Sequence, residues 1–139
     1  MKTSKLLAAA VISLCLAGTA LAAADPAQYV LTQPVYNKVM AVQKEVEKAG
    51  LKEEDDDGED LDTVDDIVKM IESKPAAKAI LARHGVSPKD YALTVLAVFH
   101  AGFHVAMEPQ MDKQGQAKLM AGYTKAQQQN IVFMRAQKK

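Results

Sequence analysis

Beyond its first 22 residues this chain of 139 has no cysteine. The single Cys15 stands inside that leading segment, so the remainder forms no disulfide and offers no thiolate. Leu14 precedes it where a bacterial lipid-attachment site needs a small residue, so Cys15 is not read as a lipid anchor. The glycines after residue 22 are scattered, and neither a phosphate-cradling glycine loop nor a Gly-x-Ser-x-Gly elbow occurs. No segment alternates as a strand does, and no internal repeat is present. No second long apolar run follows residues 6–17, so no transmembrane span is expected. These absences point away from disulfide scaffolds, nucleotide loops, serine hydrolases and β folds. What remains is an all-α fold, a small bundle of four to five helices, and no catalytic motif.

An excess of either charge is lacking too. The chain holds 17 basic and 17 acidic side chains, and removing Lys2 and Lys5 with the leader leaves a net of −2. That balance argues against a nucleic-acid partner. The distribution is uneven: ten of the fourteen residues at 53–66 are acidic and none is basic, whereas 112–139 carries six Lys/Arg against one Asp. Residues 53–62 are expected to be an acidic loop between the first and second helices.

The leader is informative in itself. Lys2 and Lys5, the apolar run 6–17 and the small-x-small Ala20-Leu21-Ala22 make a secretory signal peptide. The working protein is therefore expected at 23–139, one helical domain in the periplasm or outside the cell. With no catalytic motif it reads as a non-enzymatic binding or accessory protein whose partner is an unknown protein or small molecule.

Local signals divide 23–139. Residues 23–33 read as a loose arm. Pro34 suits a first helical turn, and Val35, Val39, Val42, Val46 and Ala49 form an apolar stripe ended by Gly50. Thr63 and Asp66 make a capping box for a second helix burying Val64, Ile67, Val68 and Ile71. A short third helix spans 76–84. Gly85 is then a left-handed C′ residue with Val86 closing on Leu81, and Ser87-Pro88 starts a fourth helix, stapled by Val86 and Tyr91. That helix, 88–107, is apolar nearly all round and belongs at the bundle centre, with Gly102 allowing a close neighbour. A fifth helix is expected over 116–136, presenting Leu119, Met120, Tyr123, Ile131 and Met134.

The turn residues His84-Gly85-Val86-Ser87-Pro88-Lys89-Asp90-Tyr91-Ala92-Leu93-Thr94 resemble those of small exported bacterial proteins. Those proteins carry a Gly-hydrophobic-Ser/Thr-Pro turn before an apolar helix. The resemblance implies a helical fold and brings no function with it.

His100 and His104 lie four apart on the fourth helix, so their imidazoles share a face about 6 Å apart along the axis. Met107 follows on that face. With Met107 the set would suit copper; with a carboxylate such as Glu108 it would suit zinc. The spacing lacks the Glu of the zinc-protease motif, since Ala101 follows His100, and it supplies half a site. The alternative is a pair of neutral core histidines with Met107 as filler, or a pair whose joint protonation loosens the bundle in mild acid. No cofactor is otherwise expected. Glu53, Asp55, Asp57 and Gly58 imitate the start of a calcium loop, with Asp55 and Asp57 as ligands, but Val64 stands where the bidentate Glu belongs. His84 is expected to face the negative pole of the third helix. Lys118, Lys125, Arg135, Lys138 and Lys139 make the last helix basic and amphipathic, the pattern of a membrane-surface or partner-binding module or of a bundle helix with a wet face.

Overall fold

The computed structural model describes residues 24–51 and 62–138. The signal segment, Asp55 and Asp57 lie outside them. Six α-helices and no strand occur among the described residues: α1 (Gln33–Lys48), α2 (Val64–Ser73), α3 (Pro75–Arg83), α4 (Pro88–Met107), α5 (Lys113–Gly122) and α6 (Lys125–Gln137). Single 3-10 turns stand at Pro26–Gln28 and Glu108–Gln110.

Caps mark four ends among the first four helices. Gly50 at φ +66° closes α1, with Gly50 N donating to Glu47 O and Leu51 N to Val46 O. Gly85 at φ +62° repeats that Schellman geometry for α3, and Val86 N donates to Leu81 O at 3.0 Å. Thr63 and Ser87 accept the amides of Asp66 and Asp90 at the starts of α2 and α4.

The single fifth helix expected over 116–136 is two helices. Tyr123 is extended at ψ 153°, and Thr124 opens α6 with a capping box whose partner is Gln127. Asp112 caps α5 at Gly115 N, three residues earlier than the apolar pattern suggests. The four to five helices expected are thus six, because the Thr124-x-x-Gln127 signal overrides a continuous apolar period. The arm is not loose either. Leu31 is buried, Tyr29 Oη lies 3.0 Å from Thr94 Oγ1, and Thr124 Oγ1 donates to Ala27 O. Asn130, itself buried, accepts Leu31 N and donates to Tyr29 O, both at 2.8 Å.

Two core clusters share α4. Val39, Val42, Ile67, Ile71, Leu81 and Leu93 pack around its first half. Ala101, Val105 and Ile131 form the second cluster, with Met120, Tyr123 and Met134 against it. α2 runs antiparallel to α4, since Ser73 and Lys74 reach the hollow lined by Tyr91 while Asp62 reaches Phe99. α2 therefore covers only the first half of the outer α4 face. Ala92 is fully buried there, whereas Phe99 and Phe103 further along are 70% and 60% exposed. Among the described residues, this helix, expected at the centre of the bundle, is covered on its outer side over half its length. α4 with the following turn, Pro88–Gln110, is long and apolar enough to cross a membrane by length and composition, a test that core helices also pass. Gly102 is not forced by crowding: a Cβ there would meet Met134 Cε at 3.7 Å, an ordinary contact.

Candidate interaction site on the fourth helix

The break between α5 and α6 places Tyr123 against α4, and both histidines gather on its ring. The His100 and His104 centroids lie 4.8 and 5.4 Å from that of Tyr123, each edge to face. His104 is buried; its Nδ1 lies 3.3 Å from Tyr123 Oη. Its Nε2 is 3.5 Å from Glu108 Oε1, too long for a hydrogen bond. This Nε2 is the buried side-chain atom left without a hydrogen-bond partner among the described residues. Glu108 is held instead by Arg135, whose Nε donates to Oε1 at 2.9 Å and whose Nη2 donates to the same oxygen. Burial, and then the neighbouring His104, hold the His100 pKa below its ordinary value of 6.5. His100 is therefore neutral at pH 7.

The structure thus brings His100 and His104 together around an aromatic ring. It ties the nearby carboxylate to an arginine, and no group of three His, Cys, Asp or Glu suited to a metal occurs among the described residues. Met107 is half-buried at the end of α4. Val64, the twelfth position of the calcium-like loop, is a core residue at the first turn of α2. His84 does stand at the C-cap of α3, and its Nε2 lies 2.6 Å from Glu45 Oε2 on α1. Glu45 also pairs with Arg83; the His84 bond is the main cause holding its carboxyl below the usual carboxylate range.

On the outer side of α4 the Phe99 and Phe103 rings stack with centroids 6.3 Å apart and planes 21° from parallel. Beside them opens a cavity of about 470 Å³. Leu96 and Ala97 line its apolar part, Phe99 and His100 belong to its α4 wall, and Asp25 and Asp62 supply carboxylates. Among the described residues neither aspartate is paired with a Lys or Arg. Sequence reasoning missed the two phenylalanines because a helix apolar all round gives no clue to which side stays open. The i, i+4 spacing of two phenylalanines on the face away from Ala101 and Val105 was the available signal.

The chain matches no protein-family model, and neither a curated protein nor a solved structure is similar to it.

Proposed function

We propose that this is an exported, non-enzymatic binding protein whose contact surface is the uncovered half of α4. Export rests on the leader at 1–22, and the surface rests on the stacked, exposed Phe99–Phe103 pair. Single exposed apolar residues are ordinary, but two large ones stacked on a single helix face form a patch that water solvates poorly. A partner covering both, at 70% and 60% exposure, would gain about 2–4 kcal/mol from their burial before the cost of association. α4 is read as a core helix and not a membrane span, because His104 and Thr94 are buried in it with partners at Tyr123, between α5 and α6, and at Tyr29 of the arm. A photo-reactive residue at position 103 of the exported protein should crosslink to a partner, and the same residue at exposed position 136 should not. Equal labelling at both positions, or none at 103, removes the reading.

The unpartnered His104 Nε2 favours a second reading, a copper or zinc ion on His100 and His104. Elemental analysis of tag-free protein beside a His100→Ala, His104→Ala double variant tests it. About one ion per chain, absent from the variant, is the outcome that reading requires.

A further inference from the structure

The exposed phenylalanines and the carboxylate-lined cavity are one continuous surface, because Phe99 belongs to both. We propose that this surface takes a partner segment carrying a basic side chain next to apolar ones, its ammonium or guanidinium entering between Asp25 and Asp62 and its apolar residues covering Phe99 and Phe103. This rests on the reading of α4 as the contact surface and adds the chemistry of what binds there.

Charge carries the inference. The cavity has two carboxylates and no Lys or Arg in its described wall. Asp25 is held in place by its bond from Ala27 N at 2.9 Å, so its position does not have to be fixed on binding. Asp62 is the last residue of a run in which eight of the ten residues at 53–62 are acidic. His100, neutral at pH 7, adds no opposing positive charge and offers a ring nitrogen as acceptor. Phe99, which lines the cavity, adds an aromatic ring of the kind that attracts a cation over its face. A volume of about 470 Å³ exceeds what one Lys or Arg head group needs and leaves room for its apolar stem.

The same charges weigh against a lipid surface. Bilayer surfaces that recruit soluble proteins are commonly anionic and attract basic patches. Here the exposed phenylalanines sit beside carboxylates, which anionic headgroups repel. A basic amphipathic segment satisfies both halves of the surface at once.

The test uses three synthetic amphipathic peptides with one apolar stripe and Lys/Arg, Gln or Glu on the polar side, titrated calorimetrically into the protein comprising residues 23–139. Asp25→Asn with Asp62→Asn and Phe99→Ser with Phe103→Ser are titrated alongside. Asn keeps the capping acceptor at 25, and both phenylalanines are exposed, so the fold is retained. The basic peptide should bind, about tenfold more weakly to the Asn pair and in high salt, and not detectably to the Ser pair. The Gln peptide should bind at least about tenfold more weakly than the basic one, and the Glu peptide more weakly still. If the Gln and basic peptides bind alike and only the Ser pair loses them, the cation chemistry is wrong while the phenylalanine surface stands. If none of the three binds at millimolar concentration, or if phosphatidylglycerol vesicles bind through Phe99 and Phe103 when peptides do not, the proposal is overturned.

Discussion

Replacing Asn130 with alanine should release the N-terminal arm. The side chain makes two 2.8 Å bonds to arm backbone, to Leu31 N and Tyr29 O, and it is 2% exposed. If the arm stayed in place, a buried amide and a carbonyl would lose their partners, at about 1–3 kcal/mol for each unsatisfied group. If the arm left instead, Leu31 would come into water, at about 1.5–3 kcal/mol, along with the Tyr29–Thr94 bond. The cheaper route sets the loss, which we place at about 2–4 kcal/mol. Urea unfolding of a domain this size, with a slope of about 1–2 kcal/mol per molar, should show a midpoint lower by about 2 M. A double-mutant cycle with Leu31→Ala separates the routes. With the arm already freed, Leu31→Ala should cost about 1 kcal/mol less in the Asn130→Ala background than alone. A midpoint within about 0.3 M of wild type would show that Asn130 does not hold the arm, and strictly additive losses would show that the arm stays docked without it.

Two glycines should respond in opposite directions. Gly85→Ala should lower stability by about 1–2 kcal/mol, since φ is +62° and the space itself is open, with Lys38 Nζ 3.9 Å away. Gly102→Ala should raise stability by about 0.5–1 kcal/mol, because the added methyl meets Met134 at an ordinary distance inside a helix; denaturant midpoints of the two variants decide both. Thr124→Ala removes the capping box of α6 and should cost about 1 kcal/mol, with a matching change in the near-ultraviolet signal of Tyr123. For His100 the folded pKa lies below 6.5, so the unfolded chain takes up a proton first as pH falls. Its contribution to stability is complete above 6.5 and is lost as pH drops through the folded value. Melting temperatures between about pH 7.5 and 5.5 should therefore fall, and His100→Gln should flatten that fall; a slope unchanged in the variant would assign it elsewhere.

What sequence could reveal depended on how far apart the interacting residues lie. The turn from Leu81 to Asp90 was readable in detail because each bond in it joins residues three to five apart and each role needs a particular residue type. The capping box at Thr124 was equally local, yet the apolar spacing of Leu119, Met120, Tyr123, Ile131 and Met134 ran across it and suggested one helix. There the hydrogen-bonding signal prevailed over the periodic one, and Tyr123 was turned toward the histidines as a result. The anchoring of the arm by Asn130 joins residues 99 and 101 apart, and nothing near either end announces the other. For the same reason the pairing of Glu108 with Arg135 was invisible, and with it the fact that the carboxylate nearest His104 is already engaged.

The open half of α4 follows from the sequence once the direction of α2 is known. Because α2 is antiparallel to α4, covering Phe103 would require α2 to start about two turns earlier, within 53–62. Eight of those ten residues are acidic and Leu61 is the one large apolar side chain among them, so no extension of α2 could offer an apolar face. The chain thus ends its covering helix at Thr63 and leaves two phenylalanines outside the core. If folding does not use them, Phe99→Ser with Phe103→Ser should shift stability by no more than about 0.5 kcal/mol, and could raise solubility. A loss of 2 kcal/mol or more, on the order expected for burying one such side chain, would mean that the rings are covered within the folded chain and are not a contact surface. Stability unchanged in the double variant, with crosslinking from position 103 abolished by Phe99→Ser alone, is the pair of results that a binding role demands, because it separates what the rings do for the fold from what they do for a partner.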